Sequence, residues 1–340
     1  MINRQSNFEL LRLIAMMMVL LLHCNYACLG GADINEIRQH PLTAYVRVYF
    51  EHACLSGVNI FILISGWFGI KFRPRGIISL LFNVLFLGWL LAVLLIPVGI
   101  SIPLLDMMKL TYFGSYYWFV PSYILLFICA PLLNSFAENA RKKELAIFLV
   151  AFFIFEFALG WFWDYENYGY GYSCISFIGL YMTARYLHMY EKDLSLMKLR
   201  KGICFLIYTI LTIIPATAAF ILTKNGIVFN QLSYSSPFVI GAAISLLLLF
   251  RQIDLRTNEF VNSCAASAFS MYLIQLHPML WPLWLKNMTL IQEKYGIGFY
   301  LLASIVICLV FSLICILIDK IRIFTWQQIL RLYESINKRI

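Results

Sequence analysis

Ten apolar stretches recur along the chain, each close to the roughly 20 residues that a helix needs to cross the hydrocarbon core of a membrane. Hydrophobic residues make up 62% of the 340 and charged residues 13%, more apolar surface than a water-soluble domain of this size buries. We therefore predict a single-domain, all-α, polytopic membrane protein over residues 1–340, with about ten transmembrane helices. They cover residues 8–28, 53–70, 77–99, 117–137, 145–163, 173–190, 202–222, 232–250, 264–285 and 298–319.

Positive charges alternate between the loops that join these stretches. Of the 26 Lys and Arg residues, all but six fall on the side of the N-terminus. The six on the other side are Arg38, Arg47, Lys109, Lys224, Lys286 and Lys294. Because loops rich in Lys and Arg stay in the cytoplasm, we expect both termini there, with a polar outer loop from about Asn25 to His52. The net charge of +9 then reflects topology and anionic lipid headgroups, and indicates no nucleic-acid partner.

Familiar motifs of soluble enzymes and metal sites are missing from the sequence. The nine cysteines form no CxxC pair, so neither a zinc site nor a disulfide framework is indicated. Walker, GxGxxG, HExxH and GxSxG motifs are also absent. We expect no bound metal or cofactor, and the remaining classes are a membrane enzyme and a transporter.

The first stretch carries three ionisable side chains on one helical face. At about 100° per residue, the eleven steps from Arg12 to His23 exceed three full turns by about 20°, and they span about 16 Å along the axis. Glu9 lies three residues before Arg12. A polar face in hydrocarbon is costly and should meet protein or water, so these three residues are our catalytic candidates. Alternatively, Glu9 and Arg12 pair near the interface and His23 marks the end of the helix.

Three cations, Lys71, Arg73 and Arg75, lie within five residues after the second stretch. At the cytoplasmic surface they are suited to binding phosphate groups, so we take them as donor-binding candidates. A plain topology signal explains the cluster as well.

Other polar and aromatic side chains lie inside the apolar stretches. Pro121 and Pro131 should kink the fourth stretch beside a cavity, because intramembrane prolines free backbone groups that neighbours or water must satisfy. Several candidates also have a purely structural interpretation. They could allow close helix packing, donate a hydrogen bond to a neighbouring helix, or be core residues whose hydrogen bonds are satisfied within the protein. The candidates for lining a cavity are Asn59, Ser65, Trp118, Asn134, Tyr272, Gln275 and His277.

The outer segment 161–172 reads WFWDYENYGYGY and is both acidic and aromatic. Its Trp and Tyr residues suit an ordinary interfacial belt. The alternative is a platform on which sugar rings stack.

Together these motifs resemble acyltransferase family 3, integral-membrane enzymes that O-acylate bacterial polysaccharides and related acceptors. The resemblance covers nearly the whole chain. Its strongest part is an acidic residue, an Arg, ten residues and a His, here Glu9, Arg12 and His23. Three further parts are Gly57, Val58, Asn59, Phe61, Ser65 and Gly66; Trp118, Phe119, Pro131 and Asn134; and Tyr272, Leu273, Ile274 and Gln275.

The chain departs from the family pattern at three places. Many members carry Asp where this chain has Asn59, and the late His of the family is replaced by Gln275, with His277 two places later. The paired arginines after the second stretch are approximated by Arg73 and Arg75.

The resemblance implies an integral-membrane acyltransferase domain that moves an acyl group, acetyl above all, from cytosolic acyl-CoA to a hydroxyl of a cell-surface or lipid-linked saccharide. It implies acyl-CoA, a saccharide acceptor and membrane lipids as partners, and a multi-pass position in the bacterial inner membrane. Lys71, Arg73 and Arg75 would hold the phosphates and Arg12 would line the way in. His23 would act either as general base or as the nucleophile that accepts the acyl group.

Two other classes remain open from the sequence. A transporter or flippase of lipid-linked saccharide or polysaccharide also needs a polar path, although the repeated halves of many transporters are not visible. A structural or sensory membrane protein would not need the Arg–His face.

Overall fold

A computed structural model describes residues 5–100, 103, 108, 117–163, 169–227 and 232–337. Within these residues the regular elements are all helical and no strand occurs, which confirms the all-α prediction. The α-helices are α1 Ser6–Leu22, α2 Ile34–Gln39, α3 Pro41–Cys54, α4 Gly57–Phe68, α5 Pro74–Leu95, α6 Phe119–Asn139, α7 Lys142–Phe155, α8 Cys174–Met189, α9 Lys201–Lys224, α10 Pro237–Arg251, α11 Glu259–Ala265, α12 Ala268–Gln275 and α13 Trp281–Asn337, which is interrupted at Gly296.

Seven helical segments of the described residues are long and apolar enough to cross a membrane, as expected of a multi-pass protein. They are Ser6–Ala27, Pro41–Phe68, Pro74–Val98, Phe119–Asn139, Lys142–Phe162, Lys201–Lys224 and Trp281–Asn337. Three of the ten predicted stretches, 173–190, 232–250 and 264–285, instead fall on the shorter helices α8, α10, and α11 with α12.

The stretch 264–285 is not one helix. α12 ends at Gln275 and α13 begins at Trp281, with Pro278 in the gap. A proline lacks the N–H of a helical residue and disfavours helical backbone at the preceding position. His277 therefore lies between two helices, whereas the sequence placed it near the middle of one.

Most of the expected outer loop from Asn25 to His52 is helical. It contains α2 and α3, and α3 leads into α4. The charges of α3 had marked it as a loop, but Arg47 is buried and satisfied internally: its Nη1 donates to Glu36 Oε2 (2.5 Å) and its Nε to Asn25 Oδ1 (2.9 Å). Internal pairing lowers the cost of burying charge, which hydropathy alone does not register.

Helix α1 lies at the centre of the bundle. It packs against α3, α4, α10, α11, α12 and α13, and Leu11, Ala15 and Leu20 on it are fully buried. The contact with α4 is close at Gly57, where an added Cβ would lie 2.7 Å from the carbonyl oxygen of Ala15. Absence of a side chain at this position therefore allows the two backbones to approach.

Helices α4 and α8 meet even more closely at Gly66. A Cβ there would lie 2.9 Å from the Cβ of Ala184 and would overlap the carbonyl oxygen of Tyr181. Because both obstacles are backbone or Cβ atoms, side-chain rotation cannot relieve the clash.

We expect Gly66→Ala to destabilise the protein by about 1–3 kcal/mol, the usual cost of overpacking a core. The measurement is thermal unfolding of the protein in detergent. Gly202→Ala is the matched control, since nothing lies within 4 Å of a Cβ at this helical glycine. Equal melting temperatures for the two variants would contradict the close α4–α8 contact.

Candidate active site

Helix α1 continues into a π-turn at His23–Ala27. Such π-turns are rare in proteins, and those that do occur are often found at functional sites. This one is fastened from two sides: Tyr300 Oη donates to the carbonyl oxygen of Cys24, and Asn25 exchanges hydrogen bonds with the backbone carbonyl and Nε of Arg47 (3.2 and 2.9 Å). The backbone that presents His23 is therefore held firmly in place.

The side chain of His23 is oriented by Gln275, the last residue of α12. His23 Nδ1 and Gln275 Oε1 are 2.7 Å apart. An amide oxygen only accepts, so Nδ1 carries the proton and Nε2 keeps its lone pair. That arrangement leaves Nε2 available as a base or nucleophile.

A narrow cavity of about 30 Å³ adjoins His23, which is room for about two waters. Its wall is mostly apolar and aromatic, and consists of Met16, Val19, His23, Val58, Phe61, Trp118, Phe119, Tyr234, Phe269 and Tyr272. Two of the cavity-lining candidates, Trp118 and Tyr272, are among these residues. Gln275 acts on this cavity through His23, without being part of its wall.

Glu9 and Arg12 form an ion pair near the start of α1, with Arg12 Nη1 2.7 Å from Glu9 Oε2. The side chain of Arg12 is 30% exposed and that of Glu9 10%. Neither residue lines the cavity at His23. The three predicted catalytic residues therefore lie on one continuous helical segment, Ser6–Ala27, but only His23 lines this cavity.

The cations Lys71, Arg73 and Arg75 are exposed where the chain passes from α4 to α5. Arg75 Nη1 lies 3.8 Å from Glu334 Oε1, and both side chains are more than 60% exposed. Exposed pairs of this kind are weak, so the cluster keeps its charge available to a ligand.

Asn59 and Ser65, both on α4, make structural hydrogen bonds. Asn59 Nδ2 donates to the carbonyl oxygen of Tyr234 (2.9 Å), which lies in the turn before α10. Ser65 Oγ donates to the carbonyl oxygen of Phe61 (2.9 Å) and lies 3.1 Å from Tyr123 Oη. Neither side chain lines the cavity at His23.

Asn134 and His277 also lie away from that cavity. Asn134 Nδ2 donates to the carbonyl oxygen of Ile70 (2.9 Å), and its Oδ1 accepts from Tyr181 Oη (2.7 Å). His277 Nε2 donates to the carbonyl oxygen of Gly88 (3.0 Å), while its Nδ1 accepts from the Met279 N–H (3.3 Å). Both ring nitrogens of His277 are thus occupied by structural contacts.

A second polar group, Asp319 with Arg322, was not singled out from the sequence. Arg322 Nε and Nη2 donate to the two Asp319 oxygens (2.5 and 2.9 Å), and Ser270 Oγ donates to Asp319 Oδ1 (2.6 Å). Both charged residues are buried. Their spacing of three residues at the end of an apolar stretch was the available signal, since pairs so placed meet on one helical face.

Arg322 lines a cavity of about 440 Å³ together with Gly76, Ser79, Asn83, Tyr123 and Ala266. Gly76 directly follows Arg75, so this cavity begins beside the exposed cations. Tyr123 stacks on Phe119 of the His23 cavity, with ring centroids 5.5 Å apart. The two cavities are therefore neighbours along α6.

Within the described residues, no group of three or more His, Cys, Asp or Glu side chains is arranged to hold a metal ion. Comparison with known proteins gives one family match: a family model described as an acyltransferase domain, that of acyltransferase family 3, matches residues 5–319. No curated protein and no solved structure matches the chain.

We expect Gln275→Leu to lower acyl-transfer turnover at least about tenfold. His23 Nδ1 would lose the hydrogen-bond acceptor that keeps its proton in place, and a general base typically raises the rate 10²–10⁴-fold, so losing part of that contribution is a large effect. The measurement is kcat in purified membranes. Gln275→Glu, which keeps an oxygen acceptor, should retain more turnover than the Leu variant. Equal losses in the two variants would mean that Gln275 only fills space.

Proposed function

The chain belongs to acyltransferase family 3, and on that basis we propose that it moves an acyl group, acetyl above all, from cytosolic acyl-CoA to a hydroxyl of a cell-surface or lipid-linked saccharide. The proposed location is the bacterial inner membrane, with both termini in the cytoplasm. The observation that carries the proposal is the hydrogen bond between His23 and Gln275 at the wall of the aromatic cavity. It leaves Nε2 of His23 as an acceptor in a region with little water.

Two chemical routes are compatible with this geometry. In direct transfer, Nε2 takes the proton of a saccharide hydroxyl as its oxygen attacks the thioester carbonyl carbon; the C–S bond breaks, and the CoA thiolate leaves and takes up a proton. In the covalent route, Nε2 attacks the thioester carbon first, the C–S bond breaks and the CoA thiolate leaves, which gives an acyl-imidazolium that still carries the Nδ1 proton. The saccharide oxygen then attacks the acyl carbon, the C–N bond breaks, and the hydroxyl proton passes by way of Nε2 to the thiolate. Both routes yield an ester and free CoA.

The size of the cavity supports acetyl as the group transferred. A volume of about 30 Å³ holds about two waters, which suits the two carbons of acetyl better than a longer chain. The family match favours acyl transfer over the transporter alternative.

The donor is proposed to enter through the cavity lined by Arg322. Lys71, Arg73 and Arg75 supply positive charge at its margin for the nucleotide phosphates. Tyr123 lines this cavity and stacks on Phe119, which lines the His23 cavity. A pantetheine arm that follows this course would carry the thioester toward Nε2 of His23.

His23→Ala should reduce acyl transfer to less than about a tenth of wild type, since a general base or nucleophile is worth about 10²-fold or more. The measurement is transfer of labelled acetyl from acetyl-CoA to isolated cell-surface polysaccharide. Expression and membrane insertion should be unchanged. His40→Ala is the control, because His40 is exposed and outside the cavity. If His23→Ala keeps more than a tenth of the activity, His23 is neither base nor nucleophile.

Neutralising Arg73 and Arg75 together should raise the KM for acetyl-CoA before it lowers kcat, because these charges bind the donor in ground and transition states alike. The assay uses oriented vesicles, with acetyl-CoA supplied to the face that bears Lys71. As a control, the pair Lys143→Gln and Arg331→Gln removes two exposed charges expected on the same face. Normal donor dependence combined with a defect confined to the acceptor would contradict the assigned direction.

A further inference from the structure

The segment between α4 and α5 carries the exposed cations Lys71, Arg73 and Arg75. Residues 69–73 belong to no helix, so no helical hydrogen bonds fix the backbone there. Such a segment samples many conformations unless other contacts hold it. Ile70, the residue directly before Lys71, makes contacts of that kind.

Ile70 closes a ring of three hydrogen bonds with Tyr181 of α8 and Asn134 of α6. The backbone N–H of Ile70 donates to Tyr181 Oη (2.9 Å), and the Tyr181 hydroxyl donates to Asn134 Oδ1 (2.7 Å). Asn134 Nδ2 donates to the carbonyl oxygen of Ile70 (2.9 Å) and completes the ring. Each member both donates and accepts, so removing one leaves polar groups of the other two unpaired. Ile70 and Tyr181 are buried, where an unpaired group is costly.

Gly69 leads the chain from α4 into this ring. Its φ of +70° lies in the left-handed region that favours glycine. A Cβ there would also lie 2.9 Å from Nη1 of Arg185 on α8. Arg185 is itself paired, with its Nη2 3.2 Å from Glu138 Oε1 of α6. The turn therefore fits closely against α8.

The other end of the cationic segment contacts α6. A Cβ at Gly76 would lie 2.8 Å from the ring of Phe127, and the ring centroids of Phe72 and Phe127 are 5.7 Å apart. At about 100° per residue, the seven positions from Phe127 to Asn134 fall about 20° short of two full turns, so both residues lie on one face of α6. Gly76 and Phe127 also line the cavity proposed for the donor. The three cations thus lie between two contacts with the same helical face.

A segment that is held in place before its ligand arrives binds more tightly, because less conformational entropy is lost on binding. This matters for phosphate groups, which several cations must meet at once. Tyr181 is fully buried, so it influences a ligand of the exposed cations only through the position of their segment.

We propose that Tyr181 and Asn134 are positioning residues, which through Ile70 hold the three cations in the arrangement that binds the phosphates of the donor. The inference rests on the proposed function for the identity of the donor, acyl-CoA. The ring itself stands on its hydrogen bonds. Loss of either side chain should weaken donor binding and leave the acyl-transfer step unchanged.

The test is equilibrium binding of CoA, which carries the phosphates, to the full-length protein in nanodiscs. Tyr181→Phe removes the hydroxyl and keeps the aromatic ring, and we expect it to raise the Kd about 3- to 10-fold, the range for a neutral hydrogen bond. Asn134→Leu breaks the same ring of hydrogen bonds from α6. It should have a similar effect, and the double variant should be no worse than either single one. The kcat at saturating acetyl-CoA should stay within about twofold of wild type.

Tyr186→Phe is the matched control, since Tyr186 also lies on α8 and its hydroxyl makes no hydrogen bond to a residue that the structure describes. Amide hydrogen exchange of residues 69–76 provides a measurement without ligand. Tyr181→Phe should speed exchange there, and Tyr186→Phe should not. Unchanged exchange in Tyr181→Phe would overturn the inference, because the ring would then not hold the segment.

The decisive measurement repeats Tyr181→Phe in a protein that carries Arg73→Gln and Arg75→Gln. If the ring acts through these cations, Tyr181→Phe should change the Kd for CoA by less than about 1.5-fold in that background. An equal change in both backgrounds overturns the inference, as does a loss confined to kcat.

Failure of the proposed donor site gives a different result. If the wild type does not bind CoA, or if the variant with both arginines replaced binds it normally, the donor assignment and this inference fall together. If replacing the arginines weakens CoA binding while Tyr181→Phe does not, only this inference is overturned.

Discussion

Lipid offers no hydrogen-bond partner, so a polar side chain inside this bundle is costly unless it finds a partner in the protein. Arg322 meets that requirement locally, with Asp319 one helical turn away. His23 meets it over a long distance in sequence, since its partner Gln275 lies 252 positions further along the chain. The hydrogen bond therefore forms only when α12 docks against α1. The chemistry of the site and the assembly of the bundle depend on the same contact.

Helix α1 illustrates which features of the site the sequence could predict. Its helical period placed Glu9, Arg12 and His23 on one face, because that period is a property of the backbone alone. Which of them meet a common cavity depends on neighbours that local periodicity does not report. Gln275 was recognised only as a cavity candidate, since nothing near it in sequence indicates that its amide reaches His23.

The sequence likewise predicted part of the fold. Long apolar runs identified most of the helices, but helix α3 was taken for a loop because of its charges. Arg47 there pairs with Glu36 and Asn25, and such pairing arises from tertiary structure. The break before α13 is different, since Pro278 was visible in the sequence and its effect on the preceding residue is general.

The π-turn has an evolutionary consequence. It begins at His23 and inserts one extra residue into the helix, so positions beyond Ala27 follow a different register from the face that carries Arg12. Substitutions around Tyr26 that spare the hydrogen bonds between Asn25 and Arg47 can then accumulate without rotating His23 out of its own hydrogen bond. A lineage built on this arrangement can change the surface beyond the turn while the reacting group stays where it is.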